Sequence, residues 1–263
     1  MMHTCWSYDD HQEFVLNARS FLHAGLLAGE RVWYVPGPRS NGAVGWLLDE
    51  APAWPPGTVQ VLDPLEVYCP EQPFDPVAQM SSYVAATEEA VAAGYTGLRV
   101  VADATPMVRT RQRLDAFVRY EYAIGRYMLT APLRAVCVYD RAELGDRAVA
   151  ELAGVHQRTN APGVPFQLYA GRTSSETVLA GEVDASAEDL FLALFERADL
   201  RPAGGEILMH AEDLGFITHR GLIALHRQAQ RRSLTVVIRT RLRTVAPMAD
   251  ALCLTGLRVE EAG

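Results

Sequence analysis

The chain has 263 residues, of which 49% are hydrophobic and 21% are charged, and its formal net charge at pH 7 is -8. These proportions exclude a largely disordered chain and are typical of a globular protein with one or two domains. The negative charge disfavours nucleic acid and anionic membranes as partners, and no stretch approaches the roughly 18 apolar residues of a membrane span. We therefore expect a cytoplasmic protein that binds neither nucleic acid nor a membrane.

Helix and strand patterns alternate along the first half of the chain. The predicted elements are helices at 13–28, 84–93 and 109–129 and strands at 31–36, 97–102 and 134–139. Such alternation is typical of an α/β fold, in which helices cover a parallel sheet.

Two carboxylates follow predicted strands in this half. Asp103 comes directly after the strand at 97–102, and Asp140 after the strand at 134–139. Ligands of parallel α/β sheets bind beyond the carboxyl ends of the strands, so both residues are candidates for a binding site. The alternative is that each one caps a turn or the start of a helix.

The boundary between two domains is predicted near residue 160. Small, polar and helix-breaking residues become frequent between Leu144 and Phe166, and the run from Thr159 to Pro165 holds two prolines and a glycine. We place a first domain at 1–160 and a second at 166–263.

The second half has its own pattern of elements, in the order β-β-α-β-α-β-α. The predicted elements are strands at 166–171, 175–181, 205–210 and 234–238, helices at 187–198, 218–230 and 243–253, and a further strand at 258–260.

Sequence motifs of common enzymes are absent. The chain has no GxxxxGK[ST], GxGxxG, GxSxG or HExxH motif. All 24 basic residues are arginine, which excludes a lysine nucleophile. We therefore expect no enzymatic activity and no catalytic residue. An alternative hypothesis is an enzyme that uses Glu121, Asp103 and Asp140 as metal-assisted carboxylates.

The cysteines predict no metal centre. Cys5, Cys69, Cys137 and Cys253 lie far apart without a CxxC pair, as expected for buried thiols in a reducing compartment. We assign no metal ligand and no cofactor. An alternative, a loose cluster of His3, Cys5 and His11 around a transition metal or haem, matches no standard spacing.

The predicted helix at 109–129 contains an unusual polar segment at 119–122. Glu121 and Arg126 would both face inward if a cavity lay beneath this helix. In the alternative interpretation, the segment is a solvated face over which the neighbouring tyrosines pack.

A series of short motifs runs through the first half in a fixed order. They are His3 with Tyr8, the segments 21–26 and 29–31, the segment 93–100 with Asp103, the pair Tyr120 and Glu121, the segment 137–141, and His156. Together they resemble the MEDS family of sensory domains, named from methanogens, methylotrophs and a dichloromethane-responsive regulator.

The resemblance to the MEDS family implies a fold related to RecA/KaiC-type ATPases and a sensor of small, hydrocarbon-like molecules. The segment 21–31, where a phosphate-binding loop would lie, has no lysine, so nucleotide hydrolysis is not expected. The candidate ligand-binding residues are His3, Tyr8, Arg99, Asp103, Tyr120, Glu121 and Asp140.

Motifs of the second half resemble a different family. They are the segment 179–184, the segments 205–211 and 213–217, the pair Gly221 and Leu222, and the segment 254–257. In this order they resemble the STAS domain of anti-sigma-factor antagonists, which implies a small mixed sheet with helices on one face.

The resemblance to the STAS domain also implies a partner-binding loop, which we assign to Asp184, Thr218, His219, Arg220 and Gly221. In the family, a partner kinase phosphorylates a Ser or Thr just before the glycine of this loop. Arg220 stands at that position here and cannot accept phosphate.

The functional hypothesis is a non-catalytic signalling regulator. Its first domain would bind a small molecule or a partner, and its second domain would contact an anti-sigma factor or a kinase-like protein. The alternative is a small-molecule-binding or cofactor-binding protein whose second domain serves docking or forms a homodimer.

Overall fold

A computed structural model describes residues 3–40, 42–68, 73–198 and 200–263 of the chain. Cys69 lies outside the described residues. Six parallel strands form the first sheet, in the order β3-β2-β4-β5-β1-β6. These strands are β1 (His3–Tyr8), β2 (Arg31–Val35), β3 (Val59–Val61), β4 (Leu98–Asp103), β5 (Leu133–Asp140) and β6 (Arg158–Thr159).

Helices cover both faces of this sheet. They are α1 (His11–Leu27), α2 (Gly42–Glu50), α3 (Pro64–Tyr68), α4 (Pro76–Ala92), α5 (Arg111–Met128) and α6 (Arg141–Ala153). Alternate residues of β4 belong to different cores: Val101 packs with α1, whereas Val100 and Ala102 pack with α4 and α5. The sheet is therefore buried on both sides, as its apolar strands predict.

A second, mixed sheet forms the C-terminal part. Its strands are β7 (Phe166–Ala170), β8 (Glu176–Val183), β9 (Glu206–Ala211), β10 (Leu214–Ile217), β11 (Thr235–Thr240) and β12 (Leu257–Glu261). The order is β10-β8-β9-β11-β12, with β7 antiparallel to β8. The accompanying helices are α7 (Glu188–Arg197), α8 (His219–Arg231) and α9 (Val245–Ala251), and α8 contacts both of the others.

The predicted α/β fold class, with a parallel sheet flanked by helices and followed by a mixed sheet, is confirmed. Although helix-breaking residues become frequent after Leu144, α6 continues to Ala153. Asp140 caps this helix, and Val149 and Leu152 are buried in its last turns. Gly145 has a non-helical backbone and marks a kink within the helix.

The two sheets share buried contacts. Phe166 and Leu168 of β7 belong to the same buried cluster as Leu152 of α6 and Phe117 of α5. The backbone N–H of Leu168 donates to the carbonyl of Gly154, just after α6. Helix α5 contacts β5 of the first sheet as well as β7 and α7 of the second part. Helices α5 and α6, which cover the first sheet, thus pack directly on the second part of the chain.

Among the helices of the described residues, none has both the length and the apolar character needed to cross a lipid bilayer.

Candidate functional site

Four side chains with metal-binding chemistry meet inside the first domain. We call His3, Glu121, Cys137 and His156 the buried tetrad. One ligand atom from each lies within 4.8 Å of the others. The exposed fraction is 1% for His3, 8% for Cys137 and zero for Glu121 and His156, so the group is shielded from solvent.

Four separate elements bring the tetrad together. His3 and Cys5 occupy alternate positions of β1, and Cys5 pairs in register with Cys137 of β5, so these side chains share the face beneath α5. Glu121 lies on the inward face of α5, and His156 follows α6. The same tetrad face also carries Tyr139 of β5, two residues after Cys137.

Glu121 lies on an otherwise apolar stripe of α5. This stripe consists of Leu114, Phe117, Val118, Ile124, Gly125 and Met128, all of them buried. A carboxylate at the centre of such a stripe is the sequence signal for an internal polar site. The structure contradicts the interpretation of segment 119–122 as a solvated face, because Glu121 is fully buried.

The distances within the tetrad centre on one carboxylate oxygen. Glu121 Oε2 lies 3.0 Å from His3 Nε2, 3.4 Å from Cys137 Sγ and 3.5 Å from His156 Nε2. His3 Nε2 lies 3.6 Å from Cys137 Sγ. The other oxygen, Oε1, accepts a hydrogen bond from the Tyr139 hydroxyl. Glu121 therefore presents one oxygen, Oε2, to the other three ligand atoms.

The imidazole of His156 is oriented by the backbone. Its Nδ1 lies 2.8 Å from the carbonyl oxygen of Leu152, which can only accept, so the hydrogen of a neutral ring is on Nδ1. The lone pair of Nε2 then points toward Glu121 Oε2, another acceptor. Nε2 has no hydrogen-bond partner among the described residues. A buried acceptor that faces an acceptor is costly unless a proton or another cation lies between them.

Electrostatics favour a charged carboxylate in the tetrad. Burial raises the pKa of the Glu121 carboxyl, but the neighbouring His156 and His3 outweigh it and leave that pKa well below its ordinary value. Burial, together with the nearby His156, lowers the pKa of His3 to about 4. Burial and the Glu121 charge raise the pKa of the Cys137 thiol. The site thus holds an anion beside a neutral His3 ring.

A small cavity adjoins the tetrad. Its volume is about 20 Å³, and its lining includes Glu121, Cys137 and the rings of Tyr68, Tyr83 and Tyr120. A space of this size admits about one water molecule and excludes a larger group such as haem.

The predicted ligand-binding residues fall into four separate places. His3 and Glu121 belong to the tetrad. Tyr120 packs instead among aromatic rings, 5.2 Å from Phe117 between ring centroids. Arg99 forms a buried ion pair with Glu30 near the amino end of β4 and stacks over Phe21.

The remaining three predicted residues, Tyr8, Asp103 and Asp140, meet at the carboxyl edge of the sheet. The hydroxyl of Tyr8 donates to Asp103 Oδ2 at 3.2 Å, and Arg39 lies 2.8 Å from Asp140. Asp103 accepts the N–H of Thr105, and Asp140 caps α6, as the capping interpretation predicted. Burial raises the pKa of Asp103.

Two clusters proposed from sequence do not form. Asp103 and Asp140 project to the face of the sheet opposite Glu121, so the three carboxylates do not share a centre. His11 lies at the half-exposed start of α1 next to Phe14, away from His3. Cys5 is buried beside the tetrad but does not belong to it. Cys137 and His156 were present in the motif series but missing from the predicted ligand set.

An apolar groove lies between α1 and the first sheet, on the face of that sheet opposite the tetrad. Its volume is about 380 Å³, within the range of small-molecule sites. Its lining includes Trp6, Phe14, Phe21, Arg99, Arg134 and Val136.

The loop predicted to bind a partner lies at the start of α8. Thr218 caps α8 by accepting the N–H of Gly221 and donates its hydroxyl to Glu188 at the start of α7. His219 and Arg220 are exposed, and Gly221 is buried. Asp184 accepts the N–H groups of Ser186 and Ala187 ahead of α7. Both parts of the loop therefore lie at the amino ends of α7 and α8.

The fold and the site thus define a parallel α/β domain with a buried polar tetrad. The family model described as MEthanogen/methylotroph, DcmR Sensory domain (MEDS) matches residues 2–157. The match covers more than half of the chain, so the chain belongs to the MEDS family, and a sensory or signalling role follows. All four tetrad residues lie within the matched range. No curated protein matches the chain.

Proposed function

We propose that this protein is a non-catalytic signalling regulator in which the MEDS domain receives an input and residues 166–263, acting as a STAS-like domain, contact an anti-sigma factor or a kinase-like protein. The observation that carries the proposal is the direct packing between the two parts. Helix α5 holds Glu121 and contacts β7 and α7, so a change at the tetrad has a short route to the second part.

A second route between the two parts runs through the segment after α6. His156 lies two residues beyond Gly154, whose carbonyl accepts the N–H of Leu168 in β7. A ligand bound at the tetrad would hold His156 in place and would therefore stabilise this backbone hydrogen bond. Signalling further requires that the partner bind the occupied and empty states with different affinities.

The exposed pair His219 and Arg220 supports the proposed partner surface. Arg220 is cationic, lies at the amino end of α8 and has no hydroxyl for phosphate. The charge presented to a partner is therefore constant, and regulation would come from the MEDS domain rather than from phosphorylation at this position.

The partner hypothesis is tested by titrating the purified full chain into each purified anti-sigma factor or kinase-like protein of its own cell. We expect one of them to bind, and Arg220→Asp to weaken that binding by about tenfold. Arg231→Asp, at the opposite end of α8, is the matched control and should leave the affinity unchanged. Binding that is absent, or equally reduced by both variants, would reject the partner role.

A separate site, the apolar groove beside α1, is proposed to bind the small molecule. Its walls are aromatic and aliphatic, and Arg99 and Arg134 lie at one end. Both arginines pair with the single carboxylate of Glu30, so one positive charge remains for a polar or anionic group of an apolar molecule. The fluorescent anion anilinonaphthalene sulfonate is a suitable probe. Ala24→Trp should block the probe, whereas Leu27→Trp on the same helix, which does not line the groove, should not. Equal probe binding by both variants would remove the groove from the proposal.

One observation favours the alternative of a homodimer formed by the second part. Phe216 is 47% exposed on β10, an edge strand of the second sheet. Exposed apolar edge strands pair readily with another chain. Light scattering of the full chain and of Phe216→Lys distinguishes this function, because a dimer through β10 would dissociate in the variant.

A further inference from the structure

The spacing of the tetrad atoms is close to that of tetrahedral coordination. In a zinc site with bonds of about 2.0–2.3 Å, ligand atoms lie about 3.3–3.6 Å from one another. Of the six distances between His3 Nε2, Glu121 Oε2, Cys137 Sγ and His156 Nε2, four run from 3.0 to 3.6 Å, and all ligand atoms of the tetrad lie within 4.8 Å of one another. We propose that the buried tetrad binds one divalent transition-metal ion, with Zn²⁺ as the best-fitting ion, through these four atoms.

The groups around the tetrad hold its ligand atoms in the orientation that coordination requires. A metal-bound imidazole usually donates its other N–H to a carbonyl or carboxylate, as His156 Nδ1 does to Leu152. The Tyr139 hydroxyl occupies Glu121 Oε1 and leaves Oε2 for the ion. Gly125 of α5 leaves room for the His3 ring, since a Cβ added at Gly125 would lie only 3.1 Å from His3 Nδ1.

A bound cation satisfies the tetrad without a proton on His156 Nε2. With its hydrogen on Nδ1, neutral His156 directs the Nε2 lone pair at a carboxylate oxygen 3.5 Å away, and this buried nitrogen has no hydrogen-bond partner among the described residues. A cation between the two acceptors removes the conflict. It also neutralises a buried carboxylate, which would otherwise be costly to keep from water.

The donor set selects the class of metal. Two imidazoles, a carboxylate and a thiolate are typical ligands of Zn²⁺, whereas Mg²⁺ and Ca²⁺ prefer oxygen ligands alone. The Cys137 thiol would become the thiolate by releasing its proton to solvent as the ion binds. The ligands come from β1, α5, β5 and the segment after α6, so one ion would link four parts of the domain. Four protein ligands complete a tetrahedral shell, which is typical of sites that stabilise or sense rather than catalyse.

The direct test is the metal content of the full chain, purified under reducing conditions without chelator. We expect about one zinc ion per chain by plasma mass spectrometry. Protein stripped of metal and then supplied with Co²⁺ should develop the thiolate-to-cobalt charge-transfer absorption and the intense visible bands of tetrahedral cobalt.

Matched variants assign the site. Cys137→Ser should abolish the charge-transfer absorption, whereas Cys5→Ser, a buried neighbour outside the tetrad, should retain it. His156→Gln should raise the Kd for Zn²⁺ by more than about 100-fold, because loss of outer-sphere partners alone changes metal affinity 10- to 100-fold.

Two results would overturn the proposal. One is a wild-type chain that holds no stoichiometric metal as purified and gives no charge-transfer band with added Co²⁺, a result that does not depend on any variant folding. The other is a band that Cys137→Ser retains, which would place the metal at other cysteines. Neither result bears on partner binding through Arg220, so the signalling proposal is tested separately.

Discussion

Arg197 of α7 lies against Glu151 of α6, with Nη1 2.8 Å from Oε2, and this ion pair joins the second part of the chain to the MEDS domain. Glu151 is almost fully buried and also binds Arg111 at 2.8 Å, and Arg197 binds Asp115 of α5 at 2.7 Å. The interface between the two parts thus combines its buried apolar contacts with a shielded polar network, which is connected to the helix that carries Glu121.

Arg197→Met should lower the free energy of unfolding by about 1–3 kcal/mol, because Glu151 loses one buried partner but keeps Arg111. Denaturation by urea measures the change. Arg231→Met is the control, since its pair with Glu196 is exposed, and it should cost less than about 1 kcal/mol. Equal effects of the two variants would mean that the interface pair contributes no more than a surface pair.

Zn²⁺ should stabilise the folded chain. Free Zn²⁺ at about 100 times its Kd should raise the free energy of unfolding by about 2.7 kcal/mol, because binding at the tetrad requires the native fold. Glu121→Gln should lose this increment, whereas Glu143→Gln, a partly exposed carboxylate on α6, should keep it. The same shift in both variants would locate the stabilising ion away from Glu121.

The buried carboxyl group of Asp103 should make the free energy of unfolding decrease as pH rises. Burial raises its folded pKa above the unfolded value of about 3.9, so between the two values the folded chain binds more protons and the free energy of unfolding decreases with pH. Asp103→Asn should remove this contribution, so its stability relative to wild type should rise with pH in that window.

A pH series of urea denaturation measures the effect of Asp103. Asp184 provides a control of opposite sign, because hydrogen bonding from Ser186 lowers its pKa and its contribution is lost as pH falls. A relative stability of Asp103→Asn that stays constant with pH would contradict the prediction.

Thiol reactivity should follow burial. Cys253 is exposed, whereas Cys5 and Cys137 are buried, and burial raises the pKa of both buried thiols. In a Cys69→Ser background, iodoacetamide should therefore modify Cys253 in the native protein and the other two only after unfolding. Mass spectrometry of the alkylated peptides detects the difference. Native modification of Cys137 at the rate of Cys253 would contradict the buried geometry of the tetrad.

Buried parallel strands were the easiest elements to predict. β4 and β5 are continuous apolar runs because both of their faces are covered. β1 was missed because its inward positions hold His3, Cys5 and Ser7, which disrupt the apolar pattern. The residues of the candidate site therefore concealed the strand that carries them.

Helix boundaries were less predictable than helix cores. The predicted helix at 84–93 is the end of α4, which begins at Pro76 after the Asp75 cap. That Asp-Pro pair is a start signal, but apolar spacing in the first two turns of the helix is weak.

The convergence of the tetrad could not be derived from sequence spacing. Cys5 and Cys137 become neighbours only through the register of β1 with β5, and His156 returns to β1 through α6. Glu121 alone carries a local signal, a carboxylate on the apolar stripe of α5. Tertiary pairing between distant segments therefore determines the site.

Hydrogen exchange of the β7 amides in the full chain, with and without Zn²⁺, tests most directly whether the tetrad communicates with the second part. Leu168 donates its N–H to Gly154, two residues from His156. The account predicts that Zn²⁺ slows exchange in β7 as well as in β1, β5 and α5, and that Cys137→Ser abolishes both effects. Slower exchange confined to β1, β5 and α5 would contradict the account, because the metal would then stabilise the MEDS domain without reaching the part proposed to bind a partner.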